Sequence, residues 1–221
     1  MYRTADKLLE QLKKLIRREF NRLGIIGFDE LNAFRVTKET TDLFIRLMAE
    51  NMKRYLLAAQ KASTDAKARV IAVGYSDREI TIPDEVWVMA FLASYNFVSG
   101  YLYEQEAERK RLRLAEQIMT AKEYQSRTQY NDSIRRSANL WWTQTLHYML
   151  DVVDSATLWA YEQMGVEKVE WHTNIDGREC KVCRERHLKV YPIKDVPPKA
   201  HRNCRCRLMP VPNKKQSTEK S

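Results

Sequence analysis

The cysteines of this 221-residue chain all lie in one short segment near its C-terminus. Cys180, Cys183, Cys204 and Cys206 form, together with His201, the pattern Cys-x2-Cys-x17-His-x2-Cys-x-Cys. Two ligands from a tight turn and two from a distant segment are typical of a structural zinc ion, which thiolates and imidazoles bind tetrahedrally at roughly 2.0–2.3 Å. The spacing therefore predicts one Zn²⁺ ion that joins two remote stretches of the chain.

Five candidate ligands compete for the four positions of such a site. The Cys-x2-Cys turn aims both of its sulfurs inward, and His201 with one further thiolate would complete the shell. If the segment Cys204-Arg-Cys206 is extended, its two cysteine side chains point to opposite faces, which favours Cys206. His187, which follows the first pair closely, is either a reserve ligand or an ordinary surface histidine.

Two disulfides are the main alternative to a metal ion, and inert thiols are a third possibility. Disulfides would need an oxidising compartment. Residues 1–24 are charged and amphipathic and contain no apolar core of a signal peptide, so we expect no secretory signal. The charged character of residues 1–24 therefore favours a metal site over two disulfides.

Catalysis is not expected at this site. A catalytic zinc ion keeps an open position for water and usually has a carboxylate base nearby, whereas thiol-rich shells are normally closed. Asp176, Glu179 and Glu185 are close in sequence, but such acidic residues are common surface groups. A metal-dependent nuclease of the HNH type would need a helix after the histidine, which Pro210 and Pro212 oppose.

The positive charge of the chain is concentrated in its C-terminal part. Residues 168–221 contain 14 Lys and Arg against 6 Asp and Glu, whereas residues 1–167 contain 24 against 23. A basic surface of this kind favours sequence-independent, salt-sensitive contact with the phosphates of DNA, although an acidic protein surface would also fit. The expected phosphate contacts are Arg184, Arg186, Arg202, Arg205, Arg207, Lys214 and Lys215.

The elements that must position these residues are mainly helical. Only six Gly and six Pro, and apolar residues at helical spacing, predict a body of long helices over residues 1–166. Thr37 is the expected cap of the second helix, and Gly165 is the expected stop of the last. Residues 64–82 are expected to be a connector or a segment that a partner shapes. The four helices are expected at about 4–22, 37–63, 83–122 and 132–164.

An uncharged stretch within the third helix, residues 86–103, approaches the length of a membrane span. Its Ser, Asn and Gly residues and its many aromatics make its hydrophobicity modest. We therefore expect a buried central helix and no membrane contact.

The character of the sequence changes after the last helix. Alternating residues at 169–173 predict a short strand, and residues 188–191 and 208–211 are two further strand candidates. A module of this size, residues 167–211, has too little apolar content to be stable alone, and a metal cross-link would compensate. The predicted fold is thus mainly α, with a long-helix body followed by a small metal-stapled C-terminal α+β or β module and a flexible basic tail, residues 212–221.

Several features of this module occur in a fixed order. They are a helix that ends at Gly165, the strand Trp171-His-Thr173, Asp176 before Cys180 and Cys183, the strand Val190-Tyr191, Pro197 or Pro198, and the ending His201-Arg-Asn-Cys204-Arg-Cys206. This order resembles the C-terminal domain of the phage head-morphogenesis family, the minor head proteins similar to the F protein of phage Mu. The resemblance covers residues 169–211, with a looser helical match back to about 134.

The resemblance implies a minor capsid protein that is incorporated into the virion in few copies. Such a protein would act in head morphogenesis in the host cytoplasm and remain in the phage head or neck. Its partners would be the portal protein, the major capsid protein or a scaffold protein, and it would contact packaged DNA without sequence preference. The alternatives are a stand-alone zinc-ribbon nucleic-acid-binding protein and, less favoured by the residues, an HNH-like nuclease.

Overall fold

A computed structural model describes residues 2–99, 103–200 and 204–212 of the chain. Most of these residues are helical, and a small three-stranded antiparallel sheet lies near the C-terminus. The predicted fold class, a mainly α body with a small C-terminal α+β module, is confirmed. The helices are α1 (Tyr2–Ile25), α2 (Ala33–Ala72), α3 (Glu85–Ser99), α4 (Tyr103–Glu123), α5 (Arg127–Gln163) and α6 (Lys181–Arg186).

The sheet has the strand order β2-β1-β3, with β1 (Lys168–His172) in the centre, β2 (Val190–Pro192) on one side and β3 (Arg207–Pro210) on the other. Both neighbours run antiparallel to β1. The three strands lie close to the segments 169–173, 188–191 and 208–211 that the sequence predicts as strands. Short 3-10 turns at Phe28–Glu30 and Ile193–Asp195 complete the described elements.

The chain divides into two compact units, and both long helices α2 and α5 contribute to each. The N-terminal unit comprises residues 2–56 and 85–148, and the C-terminal unit comprises residues 57–84 and the chain from Met149 onward. The expected boundary between residues 166 and 167 therefore falls inside the C-terminal unit. The strands and cysteines belong to the same unit as the end of α2 and the end of α5.

The N-terminal unit has its own apolar core. Leu43 and Leu47 of α2, Leu114 and Ile118 of α4 and Trp141 of α5 are all buried in one cluster. The amphipathic face predicted for α1 also enters this core. Its buried members are Ile16, Phe20 and Leu23.

Helix α2 is longer at both ends than the predicted range of 37–63. It begins after Asn32, whose side-chain Oδ1 accepts a hydrogen bond from the backbone N–H of Arg35 at 2.9 Å. Thr37, the expected cap, lies inside the helix. At the other end Ala66 and Val70 are fully buried in the core of the C-terminal unit, which extends the helix to Ala72 through the segment expected to be a connector.

The described part of the predicted helix 83–122 forms α3 and α4, which lie on either side of residues 100–102. Over residues 85–94, whose burial the structure describes, α3 is not the buried helix expected from its composition. Val88 and Leu92 are buried, whereas Val86 is 74% and Met89 48% exposed. Within the described parts of the chain, none of the helices combines the length and the apolar character that a membrane span requires.

Helix α5 begins at Arg127, five residues before the predicted start, because the hydroxyl of Ser126 accepts a hydrogen bond from the backbone N–H of Gln129. It ends where the sequence predicts. Gly165 adopts a φ of +77°, a left-handed conformation that glycine adopts without strain. The backbone N–H of the next residue, Val166, donates to the carbonyl of Tyr161 at 3.0 Å, which closes the helix and leads the chain into β1.

Candidate metal centre

Three buried cysteines come together in the C-terminal unit. The Sγ atoms of Cys183, Cys204 and Cys206 lie within 4.8 Å of one another, and those of Cys183 and Cys204 are 3.5 Å apart. All four cysteines of the chain are free thiols, without a disulfide between them. Three sulfurs in this arrangement can hold one metal ion.

The first pair of cysteines is positioned by the short helix α6. Cys180 is the residue before this helix, and its Sγ accepts a hydrogen bond from the backbone N–H of Cys183 at 3.4 Å. The Cys-x2-Cys spacing thus forms a helix start rather than a simple turn. Cys183 is buried in the cluster, whereas Cys180 is half-buried at its edge and is not one of the three mutually close sulfurs.

The second pair of cysteines, Cys204 and Cys206, contributes both of its thiols to the cluster. The sequence favoured only one of them, on the expectation that an extended Cys204-Arg-Cys206 segment would point its side chains to opposite faces. β3 begins only at Arg207, and residues 204–206 are not part of a strand. Both cysteines are buried and both sulfurs belong to the cluster, so this expectation is wrong for the described structure.

The thiol cluster is part of the apolar core of the C-terminal unit. It packs with Trp171 of β1, Leu208 of β3, Val70 of α2 and Tyr161 of α5. The Tyr161 hydroxyl donates a hydrogen bond to the carbonyl of Leu208 at 3.2 Å. The cysteines are therefore held by two long helices and the sheet, as well as by their own local backbone.

Thr173 connects the cysteines to the sheet, although the sequence assigned it no role in the site. Its hydroxyl donates to the carbonyl of Cys183 at 2.6 Å and lies 3.4 Å from the Sγ of Cys206. Its backbone N–H donates to Nδ1 of His187 at 3.1 Å. His187 thus uses Nδ1 to hold the backbone, and it lies outside the group of close sulfurs.

An ion pair that the sequence did not indicate lies beside the cluster. The ammonium of Lys199 is 3.0 Å from a carboxylate oxygen of Asp154 on α5, and both side chains are mostly buried. Lys199 also donates to the carbonyl of Cys206 and lies 5.5 Å from the ring centre of Trp171. A lysine and an aspartate distant in sequence carry no signal of this pairing before the fold is known.

The electrostatic environment differs among the sulfurs. A hydrogen bond from the Cys204 thiol lowers the pKa of Cys206, and the same contact raises the pKa of Cys204. Burial raises the pKa of Cys183. The backbone N–H of Cys183 lowers the pKa of Cys180. Contact between the thiols of Cys204 and Cys206 thus shifts their pKa values in opposite directions.

A cavity of about 50 Å³ adjoins the cluster, lined by its three cysteines together with Thr173, Asn174, Arg178, Glu179 and Arg205. Two acidic residues lie at this edge of the site. Asp176 pairs with Arg205 at 2.8 Å, and a hydrogen bond from this arginine lowers the pKa of Asp176. Glu179 pairs with Arg184 at 2.6 Å. Both carboxylates are thus engaged by cations.

The predicted phosphate contacts in the described part of the chain all have partners of their own. Besides the two ion pairs, Arg186 donates to the carbonyl of Pro198 at 2.6 Å and Arg207 to the side-chain oxygen of Asn174 at 3.2 Å. Arg184 and Arg205 nevertheless keep 66% and 44% of their side chains exposed. The remaining predicted residues, His201, Arg202, Lys214 and Lys215, lie outside the described residues.

Comparison of the chain with models of known protein families, with curated proteins and with solved structures finds no match. Its function is therefore inferred from its own residues and from the geometry in which the fold holds them.

Proposed function

We propose that this protein is a phage minor head protein that acts in head morphogenesis, with a C-terminal unit stabilised by a structural zinc ion. The observation that carries the proposal is the meeting of Cys183, Cys204 and Cys206 in one buried core. These thiols belong to the Cys-x2-Cys and Cys-x-Cys motifs on which the resemblance to the head-morphogenesis family depends. The motif that suggests the role is thus the motif that forms the site.

Zinc is the ion that best suits three thiolates. Soft sulfur ligands select Zn²⁺, Cu⁺ or iron–sulfur clusters, and zinc with three cysteines and one further ligand is a frequent structural shell. Cys180, at the edge of the cluster, and His201, predicted from the sequence, are the candidates for the fourth position. Zinc at this place would join α6 to the segment before β3.

The chemistry of the surroundings favours a structural rather than a catalytic ion. The nearby carboxylates of Asp176 and Glu179 are held in ion pairs, so neither is poised as a general base. The cysteines are followed by the strand β3, whereas an HNH-type nuclease needs a helix after its histidine. We therefore propose that the protein is not an enzyme.

The proposed partners are the portal protein, with or without the major capsid or scaffold protein, and packaged DNA. In this proposal the helices dock on the portal or inner shell, and the basic residues near the cysteines meet phosphates. The exposed side chains of Arg184 and Arg205 support the second contact. The protein would act in the host cytoplasm and remain in the virion in few copies.

Elemental analysis tests the metal part of the proposal. Protein purified under reducing conditions is expected to contain about one zinc ion per chain, because the four proposed ligands form one shell. His187→Gln is the matched control, since His187 lies outside the close sulfurs and glutamine retains an acceptor for Thr173. Zinc-free protein that remains folded would overturn the structural role of the ion.

Co-purification tests the assembly part separately. The chain is co-expressed with the portal, capsid and scaffold proteins encoded beside it, and particles are isolated by sedimentation. The expected result is a few copies of the chain per particle. Substituting Arg205 and Arg207 by glutamine is expected to leave this association intact and to reduce retained DNA. A chain that never sediments with portal or particles, yet binds DNA tightly alone, would favour the zinc-ribbon alternative.

A further inference from the structure

A groove of about 610 Å³ lies between α1 and α2 in the N-terminal unit. Its lining is dominated by charge, with five basic and two acidic side chains among ten residues. The basic ones are Lys14, Arg18, Arg22, Arg46 and Arg54, and the acidic ones are Glu19 and Glu50. The groove is thus strongly positive, although residues 1–167 as a whole are close to neutral.

Three of these arginines are oriented by one buried carboxylate. Glu19 keeps only 4% of its side chain exposed. It lies 3.3 Å from Arg18, 3.1 Å from Arg22 and 3.0 Å from Arg46. One negative charge among three positive ones leaves a net positive cluster, and each guanidinium has further N–H groups free of this contact. The buried glutamate therefore holds a cationic surface in a fixed geometry.

The cations on α1 form a row. Lys14, Arg18 and Arg22 recur every four residues, which places them on one face of the helix at intervals of about 6 Å. Arg46 faces them from α2 through its contact with Glu19. Such a row suits a ligand with repeated negative charges better than a single small anion.

We infer that this groove binds the phosphodiester backbone of a nucleic acid. Interfaces with nucleic acids are polar and strongly positive, and arginine forks match phosphate oxygens. Protein interfaces, by contrast, are enriched in aromatic anchors, and the ten lining residues of the groove include none. Without aromatic side chains for base stacking, binding is independent of sequence. The inference does not depend on the proposed phage role or on the metal centre.

The test uses the full-length protein and two double variants that remove the same charge. Lys14→Gln with Arg18→Gln removes two groove cations but leaves Arg22 and Arg46 to neutralise Glu19. Arg113→Gln with Arg136→Gln is the control, because both residues are exposed and lie outside the groove lining. Binding of a labelled duplex is measured by fluorescence anisotropy between about 50 and 200 mM salt.

The groove variant is expected to lower the slope of log affinity against log salt by about 1.8, or about 0.9 for each phosphate that the protein no longer neutralises. The decrease should be equal for duplexes of unrelated sequence, and the control should retain the wild-type slope. The single variant Lys14→Gln, which leaves the ion pairs of Glu19 intact, should lower the slope by about half as much.

Three results would overturn the inference. The groove variants could keep the wild-type slope, or the control could weaken DNA binding as much as the groove variant does. Alternatively, the groove variant could lose binding of poly-glutamate but not of DNA, which would assign the groove to an acidic protein partner. Failure of the chain to associate with portal particles would leave the inference intact, since the DNA measurement uses the purified chain alone.

Discussion

Three buried thiols in contact cannot all ionise without a cation beside them, because each charge repels the others and loses its hydration. The pKa of Cys206 is lowered by the thiol of Cys204, while burial raises the pKa of Cys183. A divalent ion would replace the protons on the other two thiols and neutralise the charge that forms. Metal binding at this site is therefore expected to release protons and to tighten as pH rises.

The first prediction concerns Cys206. Replacing it by serine removes the sulfur that most readily ionises and that contacts both Cys204 and Thr173. Loss of an outer-shell partner typically costs 10- to 100-fold in metal affinity, so loss of a ligand is expected to cost at least about 100-fold. Competition with a chromophoric chelator measures the affinity.

Thr173→Val is the control for this substitution. It removes hydrogen bonds to Cys183 and Cys206 but no sulfur, so its effect on metal affinity should fall in the range of about 10- to 100-fold. A Cys206→Ser variant that binds zinc as tightly as the wild type would show that this thiol is not a ligand.

The residue types and their spacing were sufficient to predict that cysteines of the two motifs come together, but not the full environment of the cluster. Every sulfur near the cluster was predicted, because cysteines at such spacing have few other roles. Lys199 and Asp154, and the row of cations around Glu19, could not be predicted, since charged residues are common and only the fold selects which of them meet. The net charge of residues 1–167 concealed the groove, because charges far apart on the surface cancel in a sum.

At the scale of elements, helix starts depend on side chains that satisfy the first backbone N–H groups. Asn32 and Thr37 both have the chemistry of a cap, and the sequence favoured Thr37. In the structure the side-chain Oδ1 of Asn32 accepts a hydrogen bond from the backbone N–H of Arg35. The backbone N–H of Val36 donates to the carbonyl of Asn32 at 2.9 Å. Both contacts place the helix start before Thr37.

The second prediction tests this start. Asn32→Ala should destabilise the protein by about 1 kcal/mol, because it leaves the Arg35 N–H without its side-chain partner. Thr37→Ala, at an exposed position within the helix, should change stability by less than about 0.5 kcal/mol. Urea unfolding followed by circular dichroism measures both. The reverse order of effects would restore Thr37 as the cap.

Helix lengths depended on packing that the sequence does not display. The segment 64–72 belongs to residues 64–82, which mix short apolar pieces with Gly74 and Asp77 and were expected to be a connector. It is helical because Ala66 and Val70, four residues apart, are buried, and because the hydroxyl of Ser63 donates to the carbonyl of Ala156 on α5 at 3.2 Å. Tertiary contacts thus override weak local preference, whereas alternation at residues 169–173 was sufficient to predict β1.

At the scale of the whole molecule, each of the two units has its own core. The C-terminal module was expected to depend on a metal ion because residues 167–211 alone have little apolar content. In the structure its core also contains residues from α2 and α5, among them Ala66, Val70, Ala160 and Tyr161. Sequence windows cannot reveal this sharing, because it joins segments about 90 residues apart in the chain.

The third prediction concerns alkaline unfolding and involves both units. Burial raises the pKa of Tyr103, Tyr130 and Tyr161 to about 12, above the ordinary value near 10. The unfolded chain therefore loses these protons at lower pH than the folded chain. Stability should be constant below about pH 10 and fall between pH 10 and 12, by up to about 1.4 kcal/mol per pH unit for each tyrosine.

Tyr161→Phe provides the matched comparison in urea unfolding at several pH values. It removes the hydrogen bond to Leu208 and should cost about 1 kcal/mol at neutral pH. Above pH 10 its stability should fall less steeply than that of the wild type, because one ionising group is gone. Parallel curves for the two proteins would show that Tyr161 is not protected from ionisation.

The fourth prediction is that removal of zinc loosens the C-terminal unit selectively. The proposed zinc ion would join α6 to the segment before β3, so chelation should make local opening easier in these parts and in the sheet beside them. Backbone amides of β1, β3 and α6 should exchange with deuterium at least about tenfold faster, which corresponds to about 1.4 kcal/mol. Amides of α1 and α4, whose core lies in the N-terminal unit, should keep their rates.

Adding zinc back should restore protection in the wild type but not in Cys206→Ser. Equal acceleration in both units would show that the chain unfolds as one body, and unchanged exchange would show that the thiol cluster needs no ion.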